Sequence, residues 1–154
     1  MRTAPLRAAS ALIAFVAMLP LAAPAAGKSF TGPSGWDHTV GATATPQSPR
    51  AQETWKKSDG ELLTYLADGG LSYDDIMGMV HKNISDNGFK PSLDKDRTCD
   101  GKRAHELEMT FGTAIVHQVI VDDAPGVTKL TYTRSQGTAL SPDVTSAITA
   151  YCGQ

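Results

Sequence analysis

Between Lys102 and Arg134 three successive segments alternate or cluster apolar residues in the manner of strands, whose neighbouring side chains point to opposite faces. In the first, His105, Leu107, Met109 and Phe111 share one face while Glu106, Glu108 and Thr110 share the other, which predicts a half-buried strand with a plain core face. The second, Ile115 to Val121, interrupts its Val and Ile only with His117 and Gln118 and reads as a more central strand. The third runs from Val127 to Arg134. Asp100-Gly101, Gly112-Thr113 and the run from Asp122 to Gly126 supply turn chemistry, so the whole predicts an antiparallel meander. Upstream, Thr54 to Lys57 and Glu61 to Ala67 flank Asp59-Gly60. A two-residue hairpin there would bring Trp55 near Leu63 or Tyr65.

Elsewhere the period lengthens to that of a helix. Ile76, Met77, Val80 and Ile84 form an apolar stripe opposite Lys82 and Asp86, with Met79 at its margin, predicting a helix from Tyr73 to about Asn87. Its start is specified twice, by the capping pair Ser72 and Asp75 and by a hydrophobic staple of Leu71 with Ile76. Gly88 is the expected left-handed terminator, with Phe89 pressed back onto Ile84 in a Schellman motif. Phe89 to Cys99 then reads as an extended segment that Pro91 marks as an edge. A closing helix begins at Ser141 as cap and Pro142 as first residue, and carries Val144, Ala147, Ile148, Tyr151 and Cys152 on one face. The order predicts an α+β fold: an antiparallel sheet, meander plus N-terminal hairpin, packed by two helices in an α/β/α-like sandwich.

The N-terminus reads as a leader instead of as part of that fold. Arg2 and Arg7 precede an apolar run from about Ala8 to Leu19, too short to span a bilayer, and Ala23-Pro24-Ala25 matches a signal-peptidase site. Residues 1–25 are therefore expected to be a signal peptide, and the mature chain to begin near Ala26 without a stable membrane anchor, in the periplasm or secreted. The arginines are not adjacent, unlike a twin-arginine signal, and no cysteine near the cut could carry lipid. Residues 26–52, rich in Gly, Ser, Thr, Ala and Pro, are expected to be a flexible segment with one short strand near Trp36 to Val40, and 53–154 a single domain.

The whole chain has 14 Lys plus Arg against 16 Asp plus Glu, and removal of the leader leaves a mature net charge of about −4. The densest charge run, Asp94 to Arg97 through Lys102-Arg103, mixes signs. Together these weigh against nucleic acid, which needs clustered cations, and suggest a solvated loop or strand edge. The chain's two cysteines, Cys99 and Cys152, are expected to pair in an oxidising compartment.

Candidate chemistry is sparse. The four histidines, His38, His81, His105 and His117, have no H-x-H or H-E-x-x-H spacing, and there is no G-x-S-x-G. No cofactor or metal is therefore expected. His105 reads as a hydrogen-bonded core or rim histidine. His117 depends on register: a two-residue turn at Gly112-Thr113 would pair it with Glu108 and set Glu106 diagonally on the same face, whereas a three-residue turn would pair it with Met109 and aim it at the core. In the first register His117, Glu106 and Glu108 are the candidate acid/base or metal residues, with a solvated ion pair as the plainer reading. Asn83-Ile84-Ser85 fits a glycosylation sequon, but inside a helix it reads as accidental.

From Ser72 through Asp100-Gly101-Lys102-Arg103-Ala104-His105-Glu106-Leu107 to Ala147-Ile148, the chain resembles the Mog1/PsbP-like group of small domains in its order of helix, strand, hairpin, meander and last helix. The resemblance spans roughly Thr54 to Tyr151. It implies an antiparallel sheet between helices, used as a binding or assembly accessory instead of as a catalyst. It carries over no functional residue, and the Cys99 and Cys152 pair lies outside the pattern. Two function classes follow: a non-enzymatic exported binding domain whose partner is an envelope protein or small ligand, or a small exported enzyme or metal-binding protein built on His117 with Glu106 and Glu108.

Overall fold

The computed structural model describes residues 28–153; the expected signal peptide lies outside them. Strands β1 (Asp37–Ala42), β2 (Arg50–Lys56) and β3 (Leu62–Asp68) precede helix α1 (Tyr73–Asn87). Strands β4 (Leu93–Cys99), β5 (Lys102–Phe111), β6 (Ala114–Asp123) and β7 (Gly126–Ser135) then lead into helix α2 (Pro142–Cys152). All seven strands form one antiparallel sheet in the order β1-β2-β3-β7-β6-β5-β4. The fold class is α+β, and β7 is its middle strand.

Three turns set the register of the meander. Asp100 and Gly101 both take positive φ, 53° and 73°, closing a two-residue hairpin between Cys99 and Lys102. At the next turn only Gly112 is left-handed, and Phe111 pairs with Ala114, so the two-residue register holds and Glu108 faces His117. The last is tighter than its composition suggests: Asp123 pairs with Gly126 around a cis Ala124–Pro125 bond. Upstream, Trp55 does pair with Leu63. That loop is longer than two residues, because only Gly60 has positive φ and the Lys57 amide donates to the Glu61 carbonyl at 3.0 Å.

The helices pack on opposite faces. Tyr73, Ile76 and Met77 of α1 meet Ile120 and Val127 in a small cluster, while Val144, Ile148, Tyr151 and Cys152 of α2 join Leu63, Tyr65, Ala104, Val119, Val121, Leu130 and Tyr132 in a larger one. Alternation along β6 divides the two, Val119 and Val121 facing α2 and Ile120 facing α1. β5 is consequently more than a half-buried strand: Leu107 and Met109 are buried on the α1 side and Ala104 on the other.

Both ends of α1 follow the sequence. The Ser72 hydroxyl accepts from the Asp75 amide at 3.1 Å, Gly88 has φ 63°, and the Phe89 amide reaches the Ile84 carbonyl at 3.1 Å. The Phe89 ring itself meets Phe111, 4.6 Å between centroids. At α2 the Ser141 side chain makes no capping bond. Its carbonyl accepts instead from the Thr145 amide and hydroxyl.

The segment that reads as a linker is built into the domain. β1 and the start of β2 fall within residues 28–52, and Phe30 and Trp36 are buried. Phe30 packs edge-on against Trp55 and stacks on Tyr65, with centroids 5.2 and 5.8 Å apart. Gly- and Pro-rich composition marks turns but cannot show that two isolated aromatics find the core. Cys99 and Cys152 form a disulfide that ties the end of α2 to β4. Among the described residues no helix is long and apolar enough to cross a membrane.

Candidate functional site

His117 sits between two carboxylates, its Nε2 3.1 Å from Glu106 and its Nδ1 3.3 Å from Glu108, as the two-residue register requires. The group is buried instead of solvated, with His117 only 3% exposed. Each carboxylate is also held by cations: Glu106 by Arg97 at 3.3 Å and Lys95 at 3.4 Å, Glu108 by Arg134 at 3.0 Å. Burial by itself would raise the Glu108 pKa, but hydrogen bonding and charge from Arg134, with help from Ser92 and His117, outweigh it and hold the carboxyl below its ordinary value. Arg134 is anchored by its Nε on the Thr138 carbonyl, while its buried Nη1 lacks a partner among the described residues. Nearby, Tyr132 donates to Glu61. Burial first, and then that bond, raise the phenol's pKa. Charges neutralised in this way form a closed ion network that offers a substrate or metal few free lone pairs.

On the opposite face of β5, His105 has the corresponding arrangement with different company. Its Nε2 lies 2.7 Å from Asp94 and its Nδ1 3.0 Å from Asp96, and the ring is 6% exposed. From α1, His81 reaches the same spot, its ring edge-on to His105 with centroids 6.0 Å apart. One ligand atom each from His81, Asp94 and His105 lie within 4.8 Å of one another. The strand part of this arrangement was legible: a two-residue turn at Asp100-Gly101 fixes Asp96 opposite His105 by counting back along the strands, and Asp94 two residues further on lies on the same face. His81 was not, because only the packing of α1 brings it there.

The third feature is a cavity of about 550 Å³ on the α2 face, at the end of the sheet beside the β6–β7 turn. Ala44, Pro46, Pro49, Ala51, Ala67 and Val127 supply apolar wall. Gly126 permits the tight approach of β7 to β3 there, since a Cβ on it would stand 2.2 Å from the Asp68 carbonyl oxygen. Polar residues line the cavity as well, Glu53 and Asp68 among them, and several are held in place. Burial pushes the Tyr65 phenol up to about 12, and its hydroxyl donates to the Lys28 carbonyl at 3.3 Å. Lys102 is paired with Asp123, whose bond raises the lysine's pKa, and the Thr128 hydroxyl donates to Asp123 at 2.9 Å. None of His117, Glu106 and Glu108 lines this cavity.

The fold and these sites define an α+β domain with an antiparallel sheet between helices. No protein-family model matches the chain, and no curated protein matches it in sequence. Among solved structures it is similar to the protein of unknown function PA94 from Pseudomonas aeruginosa, at 17% identity and a TM-score of 0.42, covering 73% of this chain and 74% of that one.

Proposed function

We propose that the mature chain is an exported, non-enzymatic binding domain that holds a small amphipathic ligand in the cavity beside the β6–β7 turn. The cavity carries this reading: its volume suits a small organic molecule, and its wall sets apolar side chains beside polar ones, as an amphipathic ligand requires. Tyr65 and Lys102 would orient a polar head, the phenol staying protonated and the ammonium charged through the neutral range. The Cys99–Cys152 bridge and the leader-like N-terminus support export, since such bonds persist in oxidising compartments. Against the enzymatic alternative stands the closed environment of His117, whose carboxylates are bound to Arg97, Lys95 and Arg134.

Titration of the mature protein with the amphipathic fluorophore 1-anilinonaphthalene-8-sulfonate tests the cavity. Saturable binding at one dye per chain, lost in Ala67→Trp while the circular dichroism is unchanged, is the expected result. Dye binding that survives the filled cavity would defeat the reading. Sequencing of the exported form should find a start near Ala26.

A further inference from the structure

We infer that His81, Asp94 and His105 form a binding site for one divalent transition-metal ion with the ligand preferences of zinc, and that Asp96 orients His105 for it. Two imidazoles and one carboxylate are a donor set that zinc accepts, with the fourth position left to water. His105 is the fixed point, because its ring is buried and held between β4 and β5. Its two nitrogens have separate partners: Nε2 faces the ligand Asp94 and Nδ1 faces Asp96. A metal-bound histidine characteristically donates its second ring N–H to a carboxylate, which fixes the tautomer and strengthens the ligand. Asp96, 3.0 Å from Nδ1, occupies that place. Without a metal, the ring can donate to both aspartates only by carrying both protons; an ion on Nε2 would replace one of them.

The required movements are small. Tetrahedral ligands at zinc distances stand about 3.3 Å apart, so Asp94, now 2.7 Å from Nε2, would retreat slightly and His81 would close in from within 4.8 Å. Both are exposed side chains with room to turn. Charge also favours this face. Among the described residues neither Asp94 nor Asp96 is bridged by a lysine or arginine, and the nearest cation along the same face of β5, Arg103, is engaged by Asp122 and Asp74. The ion would pin α1 to the β4–β5 edge, adding to the Arg103–Asp74 ion pair and to the small apolar cluster that seats the helix on β6 and β7. The inference departs from the metal-free expectation drawn from sequence spacing, and it is independent of the cavity.

Zinc chloride added to untagged, metal-stripped mature protein should bind at one ion per chain and raise the melting temperature. Cobalt(II) should give the visible absorption of a four-coordinate site. His81→Ala, an exposed helix position, should weaken zinc at least tenfold, and Asp96→Asn should weaken it about 10- to 100-fold. His38→Ala and His117→Ala should leave zinc affinity unchanged. Absence of stoichiometric uptake, or uptake unaffected by His81→Ala, would overturn the assignment.

Discussion

β5 carries a histidine–carboxylate contact on each face, and the two faces treat it differently. Toward α2, Glu106 and Glu108 embrace His117, but arginine and lysine hold the same carboxylates and the ring is sealed. Toward α1, Asp94 and Asp96 embrace His105 at the exposed sheet edge, and a second imidazole stands by. One residue combination thus becomes a structural ion network on one side and a ligand set on the other. The difference lies in the neighbouring cations and in burial. The cores differ similarly: the α2 side has the larger cluster and the disulfide, the α1 side a smaller cluster and a well-capped helix.

The contrast can be broken most severely on the α2 side. Opening the Cys99–Cys152 bridge, whose ends are 53 residues apart, should cost about 4 kcal/mol on the chain-entropy model. Urea unfolding of the Cys99→Ala/Cys152→Ala protein measures it, and a loss under 1 kcal/mol would show that apolar packing alone secures α2. Next comes Arg134→Ala, which leaves Glu108 without its cation. Removing one partner of a buried pair typically costs about 3 kcal/mol or more, and the side-chain exposure of Arg134, 7%, places it in that class.

The same pair has a pH signature. Because the Glu108 pKa is lowered from 4.5 in the folded protein, its contribution is complete above 4.5 and is lost as pH falls through the lower folded value. Acid titration of stability should show this loss in the native chain and a smaller one in Arg134→Ala; identical curves would mean that the guanidinium does not hold the carboxyl down. On the α1 side the smallest effect is expected. Ser72→Ala should cost about 1 kcal/mol by removing the cap bond to Asp75, and Ser141→Ala should cost less, since that side chain makes no cap bond. Equal losses in thermal melts would erase the distinction between the two helix starts.

What the sequence determined by itself was local. The bounds of α1 and β5 followed from period, caps and turns, because hydrogen bonds a few residues apart decide them. The pairing of Cys99 and Cys152 followed from the count of cysteines and the expected compartment. A single-residue choice at Gly112 lay beyond it, since either turn length fits the composition while the two place His117 on opposite faces. Tertiary structure also decided the placement of β3 beside β7, the burial of Phe30 and Trp36, and the cavity between segments distant in the chain. His81 meets His105 for the same reason: a helix period fixes which face a residue occupies, but the strand beneath that face is chosen by the packing of α1 across β6 and β7.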